Sequence, residues 1–115
     1  MTGRTGERIA KAYLRLHGYL ILDTNYHSRF GEIDIIAKKF ETVVFVEVKT
    51  RGPNSIAAPA FAVDIYKQKK IIKTAQRYIL YKHLDNCNFR FDVIELKTNG
   101  LHFNVNHIKN AFEGN

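Results

Sequence analysis

The stretch EIDIIAKKFETVVFVEVKT, residues 32–50, decides the fold of this chain. Residues 32–38 and 43–50 are rich in Ile and Val, which fit the half-buried surface of a β-sheet. A short turn separates the two runs, so we predict that they pair as an antiparallel hairpin. If the turn is centred between Phe40 and Glu41, residues that face each other across the hairpin have numbers that sum to 81.

This register places two acids opposite one another. Asp34 faces Glu47 and Glu32 faces Lys49, all on one side of the sheet, because side chains alternate along a strand. The other side is predicted to be an unbroken apolar face of Ile33, Ile35, Ala37, Val44, Val46 and Val48. Opposite carboxylates with Cβ atoms about 4.5–5.5 Å apart repel each other. A divalent cation removes that conflict, so we predict Mg²⁺ between Asp34 and Glu47, with Mn²⁺ as a substitute.

Lys49 lies two residues after Glu47 and therefore on the same face. An ammonium group there can orient or deprotonate an attacking water, or stabilise charge that builds up on phosphorus. Metal, acids and lysine together indicate a site that hydrolyses a phosphodiester. The alternative is a solvated sheet face with Glu32–Lys49 as an ordinary ion pair. Ile36 and Phe45 share the face and need covering, which favours a partly buried site.

Two helices are predicted. The first runs from about Gly3 to His17 and ends at Gly18, since glycine accepts the left-handed conformation of a C-terminal cap. A second line along this helix surrounds a single acid, Glu7, with small residues that would let the helix approach a sheet closely. The second helix runs from about Asp64 to His83, with Asp64 as its N-cap. One apolar stripe of the first helix consists of Ile9, Ala12, Tyr13 and Leu16.

Three further strands are predicted at about residues 19–25, 89–96 and 101–108. The dipeptide Asn99-Gly100 is typical of the tight turn between the last two. Residues 51–59 hold two prolines and a glycine and are predicted to form a mobile loop. The order helix, three strands, helix, two strands predicts a single α/β domain over residues 1–115, a sandwich with a mixed central sheet flanked by helices.

Charge points to a polyanionic partner. The net charge is +7 and the pI about 9.6, and neutralising phosphates releases condensed counterions. Basic residues crowd the second helix and are interleaved with tyrosines, a pattern that suits phosphate tracking with occasional base stacking. A charge run is also common on a simple solvated face. The residues predicted to contact nucleic acid are Arg51, Lys67, Lys70, Lys73 and Arg77.

Other chemistries find little support. The lone Cys87 is consistent with a reducing compartment, and no signal peptide or apolar run of about 20 residues is seen, so we expect a cytoplasmic protein with no membrane partner. His83 and Cys87 do not make a zinc site by themselves. His102 and His107 are expected at the surface. Asp92 fits either an acid behind the site or a plain surface charge.

The same residues carry a family resemblance. Gly31–Ala37, GEIDIIA, and Val44–Arg51, VFVEVKTR, resemble the signature of the YraN-like family of bacterial endonuclease-like proteins. Gly6-Glu7, Arg90–Val93 and Ala111-Phe112 extend the resemblance over nearly the whole chain. The family is similar to archaeal Holliday-junction resolvases and to the PD-(D/E)xK nuclease superfamily. The resemblance implies a restriction-endonuclease-like three-layer fold.

It also implies roles for single residues. Asp34 matches the first acid of the superfamily motif, and Glu47-Val48-Lys49 matches its Glu-x-Lys, whereas Ile33 stands in the place of the nominal proline. The catalytic set is then Glu7, Asp34, Glu47 and Lys49, and the metal set Asp34, Glu47 and Glu7. For Glu7 a second interpretation stays open, because acids near a helix N-terminus also complement the helix dipole.

Three functions follow from these patterns. The leading hypothesis is an Mg²⁺-dependent DNA endonuclease that acts on branched or single-stranded DNA, with a homodimer expected only by analogy to resolvases. The second is a non-catalytic nucleic-acid-binding module on a nuclease fold, whose binding would ignore metal and Asp34→Ala. The third is a protein-interaction module, which would bind no DNA even at low salt.

Overall fold

The computed structural model describes residues 3–52 and 63–114, so the loop predicted at 51–59 lies mostly outside the described residues. The predicted helices and strands occur in the predicted order. They are α1 (Gly3–Leu16), β1 (Leu20–His27), β2 (Glu32–Lys39), β3 (Thr42–Arg51), α2 (Ile65–Tyr81), β4 (Asn88–Asn99) and β5 (His102–Phe112). In the described ranges, neither helix is long and apolar enough to cross a membrane.

The C-terminus of α1 and the N-terminus of α2 lie where the predicted caps place them. Gly18 has φ +86°, and the N–H of Tyr19 donates to the carbonyl of Leu14 at 2.9 Å, the bond that closes a helix behind a left-handed residue. At the start of α2, Oδ1 of Asp64 accepts from the N–H groups of Tyr66 and Lys67. The predicted caps, Gly18 and Asp64, are therefore confirmed.

The sheet has the order β1-β2-β3-β4-β5. β3 and β4 are parallel and the other neighbours are antiparallel, so α2 forms the crossover between the two parallel strands. Residues of α1 pack into one apolar cluster and residues of α2 into another, and the sheet contributes side chains to both. The predicted α/β sandwich, a mixed sheet with helices on its faces, is confirmed.

The buried face of α1 differs from the predicted stripe. Leu16 is 85% exposed and Ala12 is also exposed, whereas Gly6, Ala10 and Leu14 are buried against the sheet. The helix lies on its line of small residues because these allow its backbone to approach the sheet closely. Of the apolar stripe Ile9, Ala12, Tyr13 and Leu16, only Ile9 and Tyr13 are partly buried in the cluster beneath α1.

The predicted hairpin register is confirmed next to the turn, and the ladder does not continue as far as Asp34. Pairs from Lys39↔Thr42 to Ile35↔Val46 follow the predicted sum of 81, but the backbone ladder ends there. Ile33 packs with Ile36 in the core under α2, although strict alternation would place the two on opposite faces. The predicted unbroken apolar face is thus interrupted, because β2 leaves β3 next to Asp34.

Two smaller corrections concern pairing. Glu32 does not pair with Lys49; its carboxylate lies 3.8 Å from Nε2 of His27 on the neighbouring strand β1, since β3 is no longer its partner at this point. In the second hairpin Asn99 pairs with His102, so the turn is Gly100-Leu101 rather than Asn99-Gly100. Gly100 supplies the positive φ, +63°, at the first central position of that turn.

Candidate active site

Asp34 lies where β2 and β3 separate. The last pair of the β2–β3 ladder is Ile35↔Val46. One residue further along β2, the side chain of Asp34 replaces the backbone as a hydrogen-bond acceptor for β3. Its Oδ2 accepts from the backbone N–H of Val48 at 2.8 Å. The gap between the strands therefore opens at the first acid of the predicted site, and the carboxylate bridges it.

The surroundings of Asp34 disfavour its charge. Burial raises its pKa most, and the negative charges of Glu47, Glu7 and Glu32 raise it further, while the hydrogen bond from Val48 opposes the change. Together they raise the pKa of Asp34 to about 7. The side chain thus lies among acids that repel it, which is the electrostatic condition that a bound cation would relieve.

Glu47 is buried on the α2 side of the sheet with a relative exposure of 9%. Its Oε1 accepts from Nζ of Lys67, in the first turns of α2, at 2.5 Å. Burial lowers the pKa of Lys67, but the hydrogen bond and charge of Glu47 outweigh it and leave the pKa raised. The structure therefore assigns Lys67, predicted as a nucleic-acid contact, to the carboxylate of Glu47.

One cavity of about 390 Å³ joins these groups. Asp34 and Glu47 line it together with Lys67 and Lys70 of α2, and Gly31 lies on the same wall. The cavity opens between the sheet and the N-terminal end of α2. The structure thus brings the two predicted metal ligands to one solvent-accessible space with basic side chains around it.

Glu7 lies on α1, on the other side of the sheet. Its Oε2 accepts from Nδ2 of Asn25 at 3.0 Å, and its charge is felt by Asp34, whose pKa it helps to raise. The first turn of α1 contains no acid, so Glu7 lies beyond the turn where the helix dipole acts most strongly. This placement weakens the dipole interpretation of Glu7 and keeps it near the acids of the site.

The donor set suits a magnesium ion bound jointly with a substrate. Residues 3–52 and 63–114 contain no group of three or more His, Cys, Asp or Glu side chains that could hold a metal by themselves. Mg²⁺ is commonly held by only one or two carboxylates, with waters and phosphate oxygens completing its octahedron. Asp34 and Glu47 meet that lower requirement, while the three-acid set with Glu7 is not assembled as a cage.

Lys49 follows Glu47 on β3 and is half-buried. Burial lowers its pKa most and the charges of Arg51 and Lys67 add to the decrease, with Glu47 and Glu95 opposing it. Its ammonium group therefore gives up a proton more readily than that of a free lysine. This property suits the predicted role beside an attacking water.

The remaining predicted contact residues have different surroundings. Nε of Arg51 donates to Oε2 of Glu95 at 2.9 Å, and its side chain is only 16% exposed, so the structure binds it into the sheet. Lys70 is exposed at the cavity. Lys73 and Arg77 are exposed further along α2, each within 5.4 Å of the ring centre of Phe30.

Sequence reasoning missed two residues beside this helix. Phe30 and Arg29 lie in the turn between β1 and β2, and the Arg29 guanidinium is 5.0 Å from the centre of the Phe30 ring. The turn sits on α2 because Oγ of Ser28 and Oγ1 of Thr74 share a hydrogen bond of 2.9 Å. No local pattern marks these residues, since they meet α2 only after the chain has passed through two more strands.

The surface placement predicted for His107 is wrong, and so is the surface alternative for Asp92. Asp92 is fully buried, and its carboxylate accepts from Arg90 and from the N–H of Asn110 and is hydrogen-bonded to Nε2 of His107 at 2.7 Å. The side chain of His107 is 5% exposed, and its Nδ1 shares a hydrogen bond with the hydroxyl of Tyr13. Neither is a surface residue, because β4, β5 and α1 enclose them as one polar cluster.

Relatives cover nearly the full length of the chain. It is 46% identical over 112 residues to a UPF0102 protein of Alkaliphilus oremlandii, with 96% of each chain covered. It is 48% identical over 115 residues to one from Clostridium beijerinckii, with 98% of this chain and 94% of the relative covered. One from Persephonella marina is 47% identical over 111 residues, with 96% and 92% covered.

Among solved structures, the Ca²⁺ complex of SfsA from Pyrococcus furiosus matches 93% of this chain and 62% of its own, with 15% sequence identity and a TM-score of 0.43. The model of the family described as "Uncharacterised protein family UPF0102" matches residues 6–96, which include both hairpin motifs and α2. Since this match and the relatives span most of the chain, the protein belongs to the UPF0102, or YraN, family.

Proposed function

We propose that the protein is a metal-dependent endonuclease that hydrolyses phosphodiester bonds in DNA, with branched or single-stranded DNA as the candidate substrates. One observation carries the proposal: Asp34, with its pKa raised to about 7, shares a cavity with Glu47 at the point where two strands separate. A carboxyl group in a cleft with a strongly raised pKa is a candidate for a functional site.

Asp34 and Glu47 would hold the metal, and Mg²⁺ or Mn²⁺ fits their oxygen donors. When bound, such an ion supplies Lewis-acid activation of water and of the phosphate. The chain itself orients Asp34 through the N–H of Val48, so the carboxylate is positioned before any ligand arrives. Glu7 is proposed to act from α1 by adding negative charge around Asp34.

Two lysines have separable roles in this proposal. Lys49 takes or holds a proton beside the attacking water, which its lowered pKa favours. Lys67 neutralises Glu47 in the free protein through the Nζ–Oε1 contact, and it would be free to contact a phosphate if Glu47 held a cation. Its side chain is 53% exposed, so it has room to move. The cytoplasmic location and the homodimer stay predictions.

The Lys67–Glu47 pair also favours a second candidate. An ammonium group that satisfies one of the two acids is what a nuclease fold would show if it had become a non-catalytic nucleic-acid-binding module. In that case neither metal nor the acids would matter for function. Binding would depend only on salt and on the basic residues of α2.

Cleavage assays separate the two candidates. The purified protein is incubated with labelled four-way junctions, flaps, single strands and duplex in Mg²⁺ or Mn²⁺. We expect cutting of at least one substrate, and a loss of about a hundredfold or more in rate for Asp34→Asn and Glu47→Gln, the scale seen when one transition-state-stabilising group is removed. Asp34→Asn keeps an oxygen acceptor for the Val48 N–H, so it tests charge rather than local folding.

The matched control is Glu41→Gln. Glu41 is an exposed acid at the tip of the same hairpin, so its loss changes net charge by the same amount without touching the cavity. It should cut like the unchanged protein. If no substrate is cut under any metal, or if Glu47→Gln and Glu41→Gln cut equally well, the enzyme proposal fails and the binding module takes its place.

A further inference from the structure

The turn between β1 and β2 is held tightly against α2. The N–H of Phe30 donates to Oγ of Ser28 at 3.0 Å, and the Ser28 hydroxyl is in turn joined to Thr74 of α2. A Cβ added to Gly31 would lie only 3.2 Å from Cβ of Lys70, so the backbone here is in near contact with the helix. Phe30 is therefore brought to the basic side of α2 by a fixed turn.

Three cations surround the ring of Phe30. The guanidinium carbons of Arg29 and Arg77 lie 5.0 and 5.1 Å from the ring centre, and Nζ of Lys73 lies 5.4 Å from it. All are within the range in which an aromatic ring attracts a cation. We call Arg29, Phe30, Lys73 and Arg77 the ring cluster. Its ring holds together charges that would otherwise repel one another.

The ring cluster has excess positive charge and is open to solvent. Arg29, Lys73 and Arg77 are all exposed. None of them forms an ion pair with a carboxylate of the described residues, in contrast to Arg51, Lys67 and Arg90. Three clustered cations without an acid are a site for an anion with several negative oxygens, which guanidinium groups bind in a forked geometry.

The ring cluster continues the wall of the acid-lined cavity. Gly31 follows Phe30 directly and lines the cavity, and Lys70 lines it one helical turn before Lys73. A chain of phosphates that enters the cavity at Asp34 and Glu47 would pass along Lys70 to the three cations. A repeating anion matches that continuous path, whereas a single small anion would occupy only one end of it.

We propose that the ring cluster binds the sugar–phosphate backbone of a nucleic acid a short distance from the acid pair. The inference rests on the proposed function for its choice of ligand. Phosphate contacts position a strand without reading its sequence, so the ring cluster would fix the strand relative to the acid pair. Phe30 is covered by the cations and is only partly exposed, so it organises the cluster rather than stacking on bases.

Binding without cleavage tests the inference. Affinity for fluorescein-labelled duplex and single-stranded DNA is measured in EDTA over a range of salt from about 50 to about 200 mM. Arg29→Ala and Arg77→Ala are each expected to weaken binding about five- to tenfold and to reduce the slope of log affinity against log salt by about one. The matched control is Arg15→Ala, an exposed arginine in the last turn of α1, which should bind like the unchanged protein.

Phe30→Leu tests whether binding depends on the aromatic ring and not only on the positive charges around it. It keeps an apolar side chain and the net charge but removes the ring, so we expect about threefold weaker binding with retained folding by circular dichroism. The inference is overturned if Arg15→Ala weakens binding as much as Arg77→Ala, or if Phe30→Leu binds unchanged. It is also overturned if polyglutamate competes as well as DNA at equal charge, since the surface would then suit an acidic protein.

The two proposals fail in different ways. A protein that binds through the ring cluster in EDTA but cuts nothing with metal keeps this inference and loses the proposed enzyme activity. A protein that cuts DNA while Arg29→Ala and Arg77→Ala bind with full affinity keeps the activity and loses the ring cluster as a phosphate site.

Discussion

Asp34 and Asp92 both stand at irregular points of the sheet, yet the chain surrounds them in opposite ways. Asp34 lies where β2 leaves β3, and Asp92 lies at the bulge where the register of β4 and β5 shifts between Phe91 and Val93. Each accepts one backbone N–H, from Val48 and from Asn110 respectively. An interrupted ladder frees backbone donors, and an aspartate is short enough to take them.

The difference lies in the neighbouring side chains. Burial raises the pKa of Asp92, but hydrogen bonds from His107, Arg90 and Asn110 outweigh it and leave the pKa below its ordinary value. Asp34 meets acids instead, and its pKa is raised to about 7. The fold compensates the charge of Asp92 with hydrogen-bond donors, whereas the carboxylate of Asp34 is surrounded by other acids. This contrast marks Asp92 as a structural acid and supports the role proposed for Asp34.

The largest effect on stability is expected when Asp92 loses its negative charge. Asp92→Asn should lower the free energy of unfolding by about 3 kcal/mol, the low end for breaking a buried ion pair, since it leaves the Arg90 guanidinium without its partner. Urea denaturation at neutral pH measures it. A change below about 1 kcal/mol would contradict a structural role for Asp92.

The same substitution at Asp34 should act in the opposite direction. The folded-state pKa of about 7 lies above the ordinary 3.8, so the folded protein holds this proton more tightly than the unfolded chain. The contribution of Asp34 to stability is therefore fully present below about pH 4 and is lost as pH rises through 7. Asp34→Asn, which carries no such charge, should be more stable than the unchanged protein by about 1–2 kcal/mol near pH 8 without metal. The difference between the folded-state pKa of about 7 and the ordinary 3.8 corresponds to roughly 4 kcal/mol, and solvent around the half-buried carboxylate keeps the expected effect below that value.

Unfolding free energies measured between about pH 4 and pH 8 check the prediction. The difference between Asp34→Asn and the unchanged protein should grow with pH and level off above 7. Asp85→Asn, at an exposed acid, is the matched control and should show no such trend. A destabilised Asp34→Asn at high pH would mean that Asp34 is compensated after all.

Metal should stabilise one acid centre and not the other. At a tenfold excess over its dissociation constant, Mg²⁺ or Mn²⁺ should raise the free energy of unfolding by about 1.4 kcal/mol. Thermal melts with and without metal measure the effect. Asp92→Asn should start from a lower melting temperature and keep the response, whereas Asp34→Asn should lose it. An equal response in both variants would place metal binding elsewhere.

The smallest effect is expected at the edge of the compensated centre. The hydroxyl of Tyr19 accepts from Nη2 of Arg90 at 2.8 Å, and the same nitrogen also donates to Asp92. Tyr19→Phe should therefore cost only about 0.5–1 kcal/mol, since Arg90 keeps its main partner. Urea denaturation beside Asp92→Asn tests the ranking; a Tyr19→Phe loss as large as that of Asp92→Asn would make Tyr19 an equal partner.

Local chemistry made much of the fold predictable. Gly18 and Asp64 mark helix ends because each forms bonds within a few residues of its own position. The register from Lys39↔Thr42 to Ile35↔Val46 follows from a two-residue turn. The acids at positions 34 and 47 were identifiable for a similar reason, since side-chain alternation along the paired strands predicts both on one side of the hairpin.

Contacts between distant segments were not predictable in the same way. Lys67 reaches Glu47 across 20 positions of the chain, and Phe30 contacts Arg77 across more than 40. His107 was expected at the surface together with His102, whereas the groups that bury it belong to α1 and β4. Such pairings depend on helix docking, which leaves no period in the sequence.

The sequence by itself determined the helices, the strands, the central hairpin and the presence of two acids and a lysine on it, because hydrogen bonding and side-chain alternation act over a few residues. Only the tertiary structure decided which charged groups surround Asp34 and Asp92. It ended the ladder at Asp34 and left that carboxylate among other acids. It also brought Arg90, His107 and Asn110 around Asp92, since the charge state of a buried group depends on neighbours that only packing supplies.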